Sequence, residues 1–180
     1  MRLLKLIIPI VTSKYTLIIF SLILFVLGNI AYSTLIDIPW YIRSIISEFM
    51  FILMYTIVDY GNLKYKYKFA IPHVIILLVL FFPLFLPLFY SKAAQLFSVS
   101  IAILAILINA KVLHILHNKG LANILCSRIS TTIASSIEIL LFSFILNLGL
   151  KGAILMIILR PIYIALIPKF IFKKNLLLHS

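Results

Sequence analysis

Acidic residues are scarce in this sequence, with only four Asp and Glu against 16 Lys and Arg in 180 residues. Cysteine occurs once, at Cys126, which excludes an intramolecular disulfide and a zinc site made of cysteines, so we expect Cys126 to be a small buried residue. The five glycines form no phosphate-binding loop, and neither a His-Glu-x-x-His helix nor a serine nucleophile elbow occurs. We therefore predict no enzymatic activity, no cofactor and no metal site.

Apolar residues are abundant instead, at 64% of the sequence, while charged residues reach only 11%. An ordinary soluble domain carries roughly 25% charged residues. The apolar runs have the ~20 residues that a helix needs to cross the hydrocarbon, and they repeat along nearly the whole chain. The chain is therefore predicted to be an integral membrane protein, with the lipid bilayer as a partner. Its net charge of +12 comes mainly from residues in the connectors, where they orient a membrane protein, so no nucleic-acid binding is predicted.

Six apolar runs predict an all-α polytopic membrane protein, a bundle of six transmembrane helices in a single domain over residues 1–180. Helices are expected because open strands cannot satisfy their backbone hydrogen bonds in lipid, and the alternation that a barrel requires is absent. Pro72, Pro83 and Pro87 predict a kink in the third span. The predicted spans are residues 15–36, 40–60, 69–90, 94–113, 129–148 and 152–172.

Basic residues are distributed unequally between the two sides that six spans define. Three, Arg43, Lys92 and Lys151, lie on one side, and Arg160 lies inside the last span. The other twelve share the opposite side: Arg2, Lys5, Lys14, Lys64, Lys66, Lys68, Lys111, Lys119, Arg128, Lys169, Lys173 and Lys174. The side richer in lysine and arginine normally faces the cytoplasm. We therefore predict a multi-pass protein of the cytoplasmic (inner) membrane with both termini in the cytoplasm.

Polar residues recur on one face of the second span. Ser44, Glu48, Tyr55 and Asp59 are separated by four, seven and four residues, which places them on one side of a helix. A carboxylate in hydrocarbon costs ~2.5 kcal/mol or more, so this face is expected to point away from lipid. Asp59, at the end of the span, is expected to lie at the lipid headgroups beside Lys64.

The fifth span carries a second polar stripe, made by Arg128, Thr131, Ser135 and Glu138. Hydroxyl side chains allow helices to pack closely and to hydrogen-bond across their interface, so the hydroxyls alone are explained by helix packing. A carboxylate is not needed for packing. Glu138 is therefore a candidate functional residue.

Three charged residues are predicted to lie at the same depth. Counted from the outer surface, Glu48 and Arg160 lie about eight residues into their spans and Glu138 about ten, which corresponds to roughly 12–15 Å. We expect them to converge in the bundle centre, where Arg160 compensates one carboxylate and the other is left to meet a substrate or a proton. The alternative is a closed structural ion pair that binds no ligand.

His114 and His117 are three residues apart near Lys111 and Lys119. Such spacing can bind a metal ion, but no acidic or thiol group is adjacent. A basic group at the membrane interface is the favoured interpretation.

Two stretches are distinctive in combination, LAILINAKVLHIL in the fourth span and SRISTTIASSIEILLFSFIL after a short basic connector. They resemble the queuosine precursor transporter family, also described as vitamin-uptake-like transporters, most specifically over Asn109–Phe144. The family's fifth-span acid falls on Glu138 and its serine-threonine element on Ser130 and Thr131. Its fourth-span acid falls on Asn109, a neutral amide.

A weaker match is VDYGNLKYKYK, which begins at Val58 and covers Asp59–Lys68. It resembles the family's acidic residue, Tyr-Gly pair and basic connector. Tyr60 and Gly61 align, whereas Asp59 lies two positions from the family's acid, and an earlier family acid falls on Met54. The resemblance implies a carrier that imports a small 7-deazapurine, such as preQ0, preQ1 or queuine, for tRNA modification.

The polar faces and the resemblance together predict a binding site for a small polar heterocycle. Glu138 and Glu48 are expected to accept its hydrogen bonds and to offer negative charge. The predicted substrate-binding residues are Glu138, Asn109, Glu48, Ser135, Thr131, Arg160 and Tyr55.

Two other functions stay open. The size also suits a substrate-binding subunit of an energy-coupling-factor importer, but the first span, TLIIFSLILFVLGNIAYS, lacks the Ala-x-x-x-Ala pattern with which such subunits dock on their partner. The other is a structural or assembly subunit, in which the buried charges only fix helix packing. The sequence leaves open whether the chain forms a homo-oligomer or binds a coupling partner.

Overall fold

The structure is a computed structural model, and it describes residues 13–33, 39–66, 69–72, 74–75, 92–145 and 150–176. Regular secondary structure in these ranges is helical throughout, which confirms the predicted all-α class. Five helices are long and apolar enough to cross a membrane. Most of the predicted third span, including Pro83 and Pro87, lies outside the described residues. In chain order the five helices are α1 (Lys14–Ser33), α2 (Trp40–Tyr65), α3 (Lys92–Asn118), α4 (Asn123–Ile145) and α5 (Leu150–Leu176).

The helices extend further than the apolar runs that predicted them. α2 continues to Tyr65 instead of ending at residue 60, and the connector predicted at 114–128 is reduced to a turn at 119–122. The helices therefore extend beyond the predicted spans, whose own ends stay predictions. Hydropathy marks only the apolar part of a helix, whereas lysine and arginine are good helix formers that continue it into the polar region.

Gly120 ends α3 and reverses the chain. Its φ of +79° is left-handed, a conformation that costs a residue with a Cβ roughly 1–2 kcal/mol. The Gly120 N–H donates to the His117 carbonyl at 2.9 Å and the Leu121 N–H to the Leu116 carbonyl at 3.3 Å, which are the two bonds of a Schellman motif. α4 begins at Asn123, so α3 and α4 form an antiparallel hairpin.

α2 lies at the centre of the bundle and packs against each of the other four long helices. It runs antiparallel to α4, because Asp59 near its end contacts Thr131 near the start of α4. Glu48 near the start of α2 shares a partner, Arg160, with Glu138 near the end of α4. Since α3 is also antiparallel to α4, α2 and α3 are parallel. α5 covers both α2 and α4, so the polar face of α2 is enclosed.

Large apolar side chains cover the outside of the bundle, while the described acidic side chains and Arg160 lie inside. Glu48, Asp59, Glu138 and Arg160 are each at most 4% exposed. Charges are costly in hydrocarbon, so a bilayer favours apolar groups outside and charges inside. The five apolar helices and this surface indicate a membrane-embedded, multi-pass protein. On α5 the exposed apolar residues are Ile154, Ile157, Ile158, Ile162, Leu166 and Phe170.

Candidate functional site

The first of two buried polar clusters consists of Arg160, Glu48 and Glu138 and is called the Arg160 cluster below. Arg160 lies near the middle of α5, Glu48 on α2 and Glu138 on α4, so the cluster joins three helices. Arg160 Nε donates to Glu48 Oε2 and Nη2 donates to Glu48 Oε1 at 3.0 Å. Nη1 donates to Glu138 Oε2 at 2.9 Å and to the Ser135 carbonyl at 2.6 Å. All three guanidinium nitrogens are therefore hydrogen-bonded.

The predicted convergence of Glu48, Glu138 and Arg160 is confirmed. The expectation that one carboxylate is left without a contact to Arg160 is wrong, because the planar guanidinium donates in several directions and reaches both. Two ionised carboxylates and one guanidinium still carry a formal charge of −1. In a site of low dielectric, that charge attracts a cation or a set of hydrogen-bond donors.

Tyr55 lies on α2 two turns after Glu48 and is 1% exposed. Its hydroxyl lies beside Glu138 and forms no hydrogen bond of standard geometry. A buried hydroxyl left unpaired costs about 1–3 kcal/mol, which a bound ligand would recover. Ser135 contributes its backbone carbonyl to the cluster, since its hydroxyl donates to the Thr132 carbonyl at 3.2 Å.

The second buried cluster consists of Asp59, Asn109, Ser127 and Thr131 and is called the Asp59 cluster below. Asp59 Oδ1 accepts a hydrogen bond from Asn109 Nδ2 at 2.5 Å. Its Oδ2 accepts from Ser127 Oγ at 2.6 Å and from Thr131 Oγ1 at 3.0 Å. All four residues are 0% exposed, so the carboxylate is removed from water and held by three donors from two other helices.

The α3–α4 hairpin determines where these donors lie. Asn109 comes eleven residues before Gly120 and Thr131 eleven residues after it, so they face each other across the hairpin. Ser127 lies one turn before Thr131 on the same side of α4. Glu48 and Asp59 are eleven residues apart on α2, so about 16 Å of helix separates the two clusters at 1.5 Å per residue.

Asp59 was expected at the lipid headgroups beside Lys64, and this prediction is wrong. Asp59 is fully buried, whereas the Lys64 ammonium lies over the rings of Tyr60 and Tyr65, at 5.9 and 5.3 Å from their centroids. The physical reason is that α2 continues past Asp59 within the bundle and that α3 and α4 supply the carboxylate with hydrogen-bond donors.

The structure divides the predicted substrate-binding residues between the two clusters. Glu48, Glu138 and Arg160 lie together, with Tyr55 and the Ser135 carbonyl beside them. Asn109 and Thr131 lie instead around Asp59, which the predicted set omitted, as it did Ser127. Asp59 shares a helix face with Glu48 and Tyr55, and Ser127 lies four residues before Thr131, so both carried a signal in their spacing.

The remaining singled-out residues lie apart from these contacts. Cys126 is buried, as predicted, and its thiol donates to the Leu121 carbonyl at 3.3 Å. His114 and His117 are exposed, with His114 Nε2 3.2 Å from the Asn118 amide. The part of the chain that the structure describes contains no group of three or more His, Cys, Asp or Glu suited to a metal ion.

Comparison of the chain with protein-family models, with curated proteins and with solved structures gives no match. The resemblance to queuosine precursor transporters therefore rests on the sequence of Asn109–Phe144 and Asp59–Lys68 alone.

Proposed function

We propose that this chain is a carrier of the cytoplasmic membrane that imports a small polar heterocycle, with a 7-deazapurine precursor of queuosine as the first candidate. The observation that carries the proposal is the Arg160 cluster, in which two carboxylates and a guanidinium are buried between three apolar helices. Charges inside a membrane are costly, and where they occur they commonly mark the path of a solute, an ion or a proton.

The charge of the Arg160 cluster suits the proposed cargo. A deazapurine offers several hydrogen-bond donors, and Glu48 and Glu138 supply carboxylate acceptors. The aminomethyl cation of preQ1 complements a formal charge of −1, which makes preQ1 the preferred form among the three candidates. The unpaired Tyr55 hydroxyl supplies one further polar group for orienting the ring.

Binding requires Arg160 to share its carboxylates with the solute. In the structure the guanidinium holds both of them, so a solute has to compete with Arg160 for a carboxylate. A solute cation that takes over Glu138 leaves Arg160 paired with Glu48, so neither charge is stranded during the exchange.

We also propose that the chain crosses the membrane six times and has both termini in the cytoplasm. The parallel arrangement of α2 and α3 supports that count, because α2 ends and α3 begins at opposite ends of the bundle. Lys64 and Lys119 then lie at the same end, as the distribution of basic residues requires for the cytoplasmic side.

A second candidate function is a structural or assembly subunit without a solute. The specific observation in its favour is that every nitrogen of Arg160 already has a partner, so the cluster is complete without a ligand. On that reading the charges fix the packing of α2, α4 and α5, and neutral side chains of similar shape would replace them without loss of function.

The test is rescue of tRNA modification. The chain is expressed in a strain that makes no queuosine precursors and lacks its own importer, each candidate is supplied, and queuosine in tRNA is measured. We expect rescue by preQ1 and its loss in Glu138→Gln, which keeps an oxygen acceptor for Arg160 but removes the negative charge. Ser136→Ala, an exposed position on the same helix, is the matched control and should rescue fully.

Two results would contradict the proposal. Queuosine that appears without the chain would remove the transport assignment. Full rescue by Glu138→Gln at an equal amount of protein in the membrane would remove Glu138 from the mechanism and favour the structural subunit.

A further inference from the structure

The Asp59 cluster differs from the Arg160 cluster in having no basic side chain. Both ion pairs formed among the described residues belong to Arg160, and neither includes Asp59. Arg128, the basic residue next to Ser127 in the chain, donates to the Ala165 carbonyl instead. The negative charge of Asp59 is therefore balanced by no described side chain, although the residue is 0% exposed.

The hydrogen bonds to Asp59 suit an ionised carboxylate. An ionised aspartate only accepts hydrogen bonds, and here Asn109, Ser127 and Thr131 all donate to it. Three neutral donors reduce the cost of burying the charge but do not cancel it. A positive charge is needed to complete the cluster in a bilayer.

Two buried amide oxygens point to the kind of positive charge. The Asn109 amide that touches Asp59 carries Oδ1, which is buried without a partner. Asn62, three residues after Asp59 and on the same side of α2, is 5% exposed and has both amide atoms unpartnered. With the carboxylate of Asp59 and the hydroxyls of Ser127 and Thr131, the Asn109 amide forms an oxygen-rich set of the type that hard cations prefer, and Asn62 lies one turn further along α2.

We propose that the Asp59 cluster binds a sodium ion. The ion supplies the single positive charge that Asp59 lacks, and the oxygens of Asp59, Asn109 and Thr131 are its expected ligands. A proton on Asp59 would also neutralise the charge, and the dependence of stability on sodium at constant pH separates the two. The proposal that sodium binds depends only on the residues around Asp59. The use of sodium as the driving ion for import rests in addition on the proposed carrier function.

The test is the thermal unfolding of the purified full-length chain in detergent, in NaCl, KCl or choline chloride at one pH and one ionic strength. A ligand that binds only the folded state raises Tm in a saturable manner. We expect Tm to rise with NaCl and to stay unchanged on replacing choline by potassium. Asp59→Asn, which keeps an acceptor for Ser127 and Thr131 but removes the charge, should abolish the sodium-dependent rise.

Two further variants keep the test decisive if Asp59→Asn does not fold. Thr131→Val keeps the shape of the side chain and removes one ligand oxygen, so the sodium concentration at half-effect should increase about tenfold, equivalent to 1.4 kcal/mol. Glu138→Gln alters the Arg160 cluster, which is separated from the Asp59 cluster by the eleven-residue spacing of Glu48 and Asp59 on α2. This variant should leave the sodium-dependent rise in Tm intact.

An equal Tm in sodium and choline would overturn the proposal, as would an equal sodium-dependent rise in wild type, Asp59→Asn and Thr131→Val. Stabilisation by acid alone would assign a proton to Asp59 and remove sodium. A sodium-dependent rise in a chain that moves no heterocycle would leave the sodium site standing and reject the carrier, so the two failures are distinguishable.

Discussion

Arg160 and Glu48 lie 112 positions apart in the chain and form a bidentate ion pair inside the bundle. The pair ties α5 to α2, and the same guanidinium ties both to α4 through Glu138. Removing an ion from water costs several kcal/mol, and a buried pair repays this only with excellent geometry and further hydrogen bonds. The second carboxylate adds cost without adding a second cation, which is why we connect the Arg160 cluster with function.

Arg160→Met is expected to destabilise the chain by about 3–5 kcal/mol, because it leaves two carboxylates buried side by side without a cation. Denaturant or thermal unfolding of the purified chain in detergent measures this loss. Arg160→Met combined with Glu48→Gln and Glu138→Gln removes all three charges and should recover most of the stability. If Arg160→Met alone is as stable as the wild type, the three charged side chains are not in contact.

Gly61 has no room for a side chain. A Cβ at this position would lie 2.2 Å from Cε1 of Phe69, whose ring is fully buried and stacked on Tyr65 at 6.0 Å between centroids. Overpacking of this kind typically costs about 1–3 kcal/mol, so Gly61→Ala should lower the stability by that amount. Adding Phe69→Leu to Gly61→Ala should recover part of the loss. Unaltered unfolding of Gly61→Ala would contradict the packing of Phe69 against α2.

Gly120 is constrained by its backbone and not by its surroundings, since a Cβ there would meet nothing within 4 Å. Gly120→Ala should therefore cost roughly 1 kcal/mol through the left-handed φ alone. Gly120→Asn should cost less, because asparagine tolerates this conformation better than alanine. Unfolding of the two variants under the same conditions makes the comparison, and an alanine variant at least as stable as the asparagine variant would contradict the Schellman turn.

The proposed topology predicts the side of the membrane to which each turn is exposed. In a Cys126→Ser background, cysteines introduced singly by Lys64→Cys and Lys119→Cys should react with a membrane-impermeant maleimide only after the cytoplasmic side is opened. A cysteine introduced by Tyr41→Cys, at the other end of α2, should react in intact spheroplasts. Reaction of the first two variants from different sides would contradict the parallel arrangement of α2 and α3.

Much of the fold was predictable from local pattern, because apolar runs of membrane-spanning length and a polar face at helical spacing are properties of neighbouring residues. The face formed by Ser44, Glu48, Tyr55 and Asp59 is buried as predicted. The partners of Asp59 were not predictable, since Asn109 is 50 positions away and faces it only after α3 and α4 have packed on α2. When that packing is unknown, a carboxylate at the end of an apolar run is predicted to lie at the level of the lipid headgroups.

The ion pairs of Arg160 with both glutamates were likewise not predictable in full from the local sequence pattern. Depth along each helix predicted that the three residues meet, and they do. How a guanidinium divides its donors between two carboxylates depends on the rotation of α4 and α5 about their axes, which hydropathy does not determine. The division of the predicted site into two clusters follows from the spacing of eleven residues, about 16 Å of helix, between Glu48 and Asp59 on α2.

The central claim is that the Arg160 cluster binds a polar solute inside the membrane. The most direct test is uptake of labelled preQ1 into proteoliposomes that contain the purified chain. A charge-assisted hydrogen bond contributes about 1.5–3 kcal/mol, so Glu138→Gln should reduce uptake about tenfold or more, while Ser136→Ala should transport like wild type. Uptake by Glu138→Gln at the wild-type rate, or no uptake of preQ1, preQ0 or queuine by the wild type above empty vesicles, would contradict it.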